Sequence, residues 1–128
     1  MGAERMRTRA QFQALLARSA VARTAHFALH RLPPPDAPDV DALFAPPTRV
    51  WLGAMTPKRW ARRAVTRNTI RRQIYAVGDN LTQPLNAGAH LVRLRAGFAP
   101  ARFPSATSDA LRRAVRAELL QLFAKARP

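Results

Sequence analysis

Between Asp41 and Asp79 the chain has no carboxylate, yet it carries Lys58, Arg59, Arg62, Arg63, Arg67, Arg71 and Arg72. Cationic groups without acids beside them are costly to bury and have no salt bridge to form with one another. They must lie on a surface, so this stretch has to divide itself into a cationic side and an apolar side. Ile70, Ile74 and Val77 recur at i, i+4 and i+7, which predicts a helix from Thr66 as N-cap to Gly78 as C-cap. Asn68, Arg71, Arg72 and Tyr75 then project from the face opposite that apolar stripe.

The remainder of the chain does not neutralise this charge. With 22 Lys and Arg against 7 Asp and Glu in 128 residues, the formal net charge is +15. Such an excess repels itself unless a polyanion neutralises it, which makes nucleic acid the first expected partner and a membrane surface the second. A hydrophobic content of 48% excludes a wholly disordered chain, and the length suits one domain, 1–128. The lack of cysteine excludes disulfides and thiolate metal sites. No apolar run is long enough to span a bilayer and no signal-type apolar core follows Met1, so the expected compartment is the cytoplasm.

Other elements follow from local pattern. Thr8 stands three residues before Gln11, a capping-box spacing, and Phe12, Leu15 and Leu16 continue it as a narrow apolar stripe. From His26 the period changes to two. Phe27 and Leu29 fall on one face of a strand, and Ala28 and His30 on a second face expected to be half-open. Six prolines between Pro33 and Pro47 predict a loop, which also holds Asp36, Asp39 and Asp41. Strands are expected from Arg49 to Met55 and from His90 to Arg95, then a loop through Phe98, Pro100, Phe103 and Pro104. A last helix opens near Ser108 with Leu111, Val115, Leu119, Leu122 and Phe123 on one side. The expected fold is an α/β (α+β) sandwich with a mixed central sheet of about four strands flanked by helices. Its order is helix, strand, strand, helix, strand, helix.

No constellation for bond cleavage is apparent, so no catalytic residue is assigned. The seven acids are scattered, there is no glycine-rich phosphate loop, and His26, His30 and His90 sit alone on strands, where histidines are usually structural rather than metal ligands. Arginine-rich surface with an interspersed asparagine suits phosphate and RNA contact instead.

The stretch from Gly53 to Arg72 resembles the signature of the bacterial ribonuclease P protein component. The strand end bears the basic pair Lys58 and Arg59, the loop bears Arg62 and Arg63, and the helix bears Arg67, Asn68, Thr69, Ile70, Arg71 and Arg72. Gln11 and Phe12 in the first helix, His26 to His30 in the first strand and the leucine-rich final helix extend the resemblance more weakly. Thr69, Gln73 and His90 depart from the usual pattern. The resemblance implies a subunit that performs no cleavage itself. It assists a catalytic RNA that removes the 5′ leader of precursor tRNA with magnesium, the protein alone binding no cofactor. It assigns Lys58, Arg59, Arg62, Arg63, Arg67, Asn68, Arg71 and Arg72 to the catalytic RNA subunit, and Phe12, Leu16, Ala28 and His30 to a cleft for the single-stranded leader of precursor tRNA. Competing readings are a ribosomal or other structural RNA-binding protein, a DNA-binding module and a membrane-surface binder. The helix flanked by strands speaks against DNA, and the ordinary core stripe against a membrane.

Overall fold

The computed structural model describes residues 2–99, 102–103 and 108–127. The elements in chain order are β1 (Glu4–Arg5), α1 (Arg9–Leu16), β2 (Ala22–Arg23), β3 (Phe27–Leu32), α2 (Pro38–Asp41), a 3-10 turn (Ala42–Phe44), β4 (Val50–Met55), α3 (Ala64–Asp79), β5 (Gly88–Leu94) and α4 (Asp109–Lys125). The strands form one mixed sheet in the order β1-β4-β5-β3-β2. β3 and β5 pair antiparallel, with Ala28 opposite Arg93 and His30 opposite Leu91. β4 and β5 pair parallel, with Gly53 opposite Leu91 and Met55 opposite Arg93. A parallel neighbour needs a crossover connection, and α3 supplies it.

Period-two alternation gives the sheet two faces, and both are covered. Phe27, Leu29, Leu52, Val92 and Leu94 face α3 and α4, where they meet Ile70, Ile74, Val77, Leu111, Val115, Leu119 and Leu122. Leu32, Ala89 and Leu91 face the other way, against Leu15 of α1, Met6 and Phe44. The proline-rich segment is therefore not only a loop. Pro38 opens α2 at a position where its missing N–H is not needed, and Phe44 packs edge-on against Trp51 at 5.9 Å.

Local signals set the helix ends differently. At α1 the capping box forms as expected, with Gln11 N–H donating to Thr8 Oγ1 and Thr8 N–H donating to Gln11 Oε1. The buried Gln11 amide also donates to the Leu43 carbonyl, tying α1 to the proline-rich segment. Ser108 caps α4 through Leu111 N–H. The expected ends of α3 are corrected: its N-cap is Arg63 without a side-chain bond, Thr66 is its third residue, and its C-cap is Asn80. Gly78 lies inside the helix and buried. A Cβ there would stand 2.5 Å from Leu52 Cδ2, so the glycine permits close packing on β4 rather than a turn. Pro100 and Pro104, placed by sequence in a loop, lie outside the described residues.

Candidate RNA-binding surface

The basic loop and α3 both carry exposed cations, Arg59, Arg62 and Arg63 lining one hollow and Arg71 and Arg72 another. Lys58, Arg59, Arg62, Arg63, Arg71 and Arg72 are exposed. None of these, nor Arg67, enters an ion pair found among the described residues, which join Arg18 to Asp36, His26 to Glu118, Arg49 to Glu4 and Arg112 to Asp109. Arg67 plays a different part: half-buried, it donates to the carbonyls of Ala61 at 3.0 Å and Arg62 at 2.8 Å and ties the loop to the helix. Arg71 donates to Asn68 Oδ1 at 3.1 Å and to Thr56 Oγ1 at 3.2 Å, which fixes its direction from the helix. Asn68, Arg71, Arg72 and Tyr75 line one shallow hollow together with Arg5 and Asp79. The Arg5 guanidinium lies 3.8 Å from the Tyr75 ring centroid, a cation–π contact that holds it beside the arginines of α3. At the far edge Asp79 is occupied by the Ala3 N–H at 2.9 Å.

The second candidate region lies on the sheet face beneath α1. Phe12 is half-buried and Leu16 is exposed at the end of the helix. Gly53 makes room for the Phe12 ring, since a Cβ there would meet Phe12 Cε1 at 3.2 Å and Met6 Sδ at 2.7 Å. Ala28 and His30 are buried, so the face expected to be half-open is closed at these two positions. His30 is closed in by its own bonds. Its Nδ1–H donates to the Arg18 carbonyl at 2.8 Å, and Nε2 then has the free lone pair that receives Arg93 Nε–H at 3.4 Å. Accepting from Arg93 requires the neutral ring, because a protonated ring has no lone pair at Nε2. Burial, opposed by the Arg18 carbonyl and assisted by Arg93 and Arg23, holds its pKa below the ordinary 6.5.

Register sets a further row beside His30 that sequence reasoning did not name: Met55, Arg93, Ala28 and Arg23 lie opposite one another across β4, β5, β3 and β2. Met55 and Arg93 are half-buried and Arg23 is exposed. Burial, then Arg95, Arg23 and Arg59, lower the Arg93 pKa, so this end of the sheet is a field of like charge. The members are far apart in sequence. Only the unbroken alternation of Leu91, Arg93 and Arg95 hints that Arg93 leaves the core.

Residues 2–126 match the family model described as Ribonuclease P. The chain belongs to the ribonuclease P protein family. It is 38% identical over 114 residues to the ribonuclease P protein component of Ralstonia pickettii, covering 88% of this chain and 71% of that one. It is 35% identical over 115 residues to that of Bordetella parapertussis, covering 90% and 85%. The Staphylococcus aureus RNase P protein has the same fold, with a TM-score of 0.68, 18% identity and coverage of 98% and 96%. The chain is thus the protein component of a ribonucleoprotein endoribonuclease that processes tRNA. Among the described residues of this ribonuclease P protein no three His, Asp or Glu side chains are grouped as metal ligands, and no helix is long and apolar enough to cross a membrane.

Proposed function

We propose that this subunit binds the catalytic RNA of ribonuclease P through Lys58, Arg59, Arg62, Arg63, Asn68, Arg71 and Arg72, with Arg67 positioning the loop. It holds the single-stranded 5′ leader of precursor tRNA in the groove beside α1. The observation that carries the reading is the unpaired arginine surface of the basic loop and α3, set apart from the sheet face on which Phe12 and Leu16 stand. A guanidinium plane contacts phosphate oxygens in two parallel hydrogen bonds, and an aromatic ring stacks on an unpaired base.

Within the groove the roles divide by accessibility. Phe12 and Leu16 offer the apolar wall and Arg93 and Arg23 the charge for the leader backbone, while Ala28, fully buried between those two arginines in the register, meets no RNA. His30 acts through Arg93 rather than as a stacking surface, because its ring is buried. Magnesium belongs to the RNA in this reading: the scattered carboxylates of the chain do not fit the oxygen-rich site the ion needs.

Reconstitution tests the proposal. The chain freed of RNA leaves precursor tRNA intact, and with its cognate catalytic RNA it supports leader removal at magnesium concentrations where the RNA alone is slow. Cleavage that persists without RNA and depends on one Asp or Glu of this chain overturns it.

A further inference from the structure

A second hollow, of about 440 Å³, opens on the opposite face of the sheet from Phe12, beside the basic loop. Its volume falls within the roughly 300–1,000 Å³ of ordinary ligand sites. Its walls are Trp60, Phe98 and Phe103, its floor is Ile70 and Leu111, and its rim carries Arg59, Arg62 and Arg63. The rings are built into place. Phe98 stacks on His26 at 4.0 Å and 12°, Phe103 stands edge-on to Phe98 at 5.9 Å, and His26 is held by Glu118 at 2.7 Å. Trp60 remains more than a third exposed, with the Arg59 guanidinium 5.2 Å from its ring centroid. Gly97 lets the chain leaving β5 approach the Trp60 backbone, because a Cβ there would sit 2.8 Å from the Trp60 carbonyl oxygen.

We propose that this hollow receives one unpaired nucleobase of the catalytic RNA, stacked against Trp60, while Arg59, Arg62 and Arg63 take the flanking phosphates. Aromatic walls with a rim of guanidinium groups match a nucleotide, which joins an apolar π-face to an anionic backbone. The occupant comes from the catalytic RNA rather than the leader, because the rim residues are those of the RNA-binding loop and the leader groove lies on the other face of the sheet. The inference rests on the RNA-binding reading above and adds a base-stacking anchor to it.

The test uses the full chain carrying Trp51→Phe, which leaves Trp60 as the sole indole. Trp51 Nε1 is buried without a hydrogen-bond partner, so the exchange removes no bond. On binding the cognate catalytic RNA, Trp60 emission is quenched, and dimethyl sulfate probing shows one unpaired base protected. Trp60→Ala restores reactivity of that base and weakens binding about five- to a hundredfold, the range expected when one base loses its stacking platform. The log-log salt slope stays unchanged, because the same phosphates remain neutralised. Trp60→Phe keeps the protection. Thr66→Leu, which narrows the hollow and leaves the rings in place, weakens binding similarly and decides the matter if Trp60→Ala lowers the melting temperature sharply. Precursor tRNA offered without catalytic RNA binds the wild type and Trp60→Ala equally well. The pocket is refuted if both hollow variants bind catalytic RNA as tightly as wild type, if the protected base stays protected in them, or if precursor tRNA alone responds to Trp60→Ala. Loss of salt-dependent RNA binding by the wild type would instead defeat the parent reading.

Discussion

At the scale of single residues, charge without a partner is the informative quantity. Replacing Arg71 and Arg72 together by alanine is expected to flatten the log-log salt dependence of RNA binding by about one to two units, about one for each phosphate that is no longer neutralised. Both side chains are exposed and opposite the core stripe, so the variant still folds. An unchanged slope places the RNA-binding face elsewhere. Arg67→Ala should behave differently. It removes the bonds to the Ala61 and Arg62 carbonyls, so amide exchange in the loop from Lys58 to Arg63 should accelerate as affinity falls. Weaker binding with the loop's exchange unaltered would mean that Arg67 touches RNA directly rather than positioning the loop. Sequence reasoning treated Arg67 like its neighbours because spacing alone cannot tell a guanidinium facing solvent from one folded back on its own loop.

At the scale of elements, legibility followed locality. The capping box of Thr8 and Gln11, the Ser108 cap and the α4 stripe involve residues three or four apart, and the structure has each where the pattern puts it. β1 and β2 are two residues each and carry no periodicity, existing only because β4 and β3 lie beside them. The row of Met55, Arg93, Ala28 and Arg23 was hidden for the same reason. Gly78 shows how one residue type serves two purposes. Read as a C-cap, it would tolerate little beyond asparagine because of a positive φ, whereas the structure packs it against Leu52. Gly78→Ala gains about 1 kcal/mol of helix propensity but forces a methyl group into the fully buried Leu52, an overpacking cost of about 1–3 kcal/mol. The melting temperature should therefore fall, and a rise would mean that β4 and α3 separate freely.

At the scale of the whole molecule, the sheet is covered on both faces, and the buried histidines link that architecture to pH. His30 and His90 both have pKa values lowered from 6.5, His90 by burial first, against its bond to the Asn86 carbonyl and with some help from Arg31. Below that value the unfolded chain takes up protons that the folded chain refuses, so stability present above pH 6.5 is lost as pH falls. Melting measured from pH 7.5 to 5 should show a steady decline, reduced in His90→Gln, while a flat profile would mean that both rings protonate in place. The window stays above the titration of Asp36, whose pKa is itself lowered from 3.8. The central claim, that one face grips the leader while the arginine surface grips the catalytic RNA, is tested most directly by titrating reconstituted holoenzyme with precursor tRNA and with mature tRNA, for wild type and Phe12→Ala. Phe12 is half-buried over Gly53, so equal melting of the two proteins is established first. Removing a base stack of about 1–3 kcal/mol predicts precursor binding weakened roughly five- to a hundredfold, with mature tRNA binding unchanged. Equal weakening for the two RNAs, or none for either, would contradict the account.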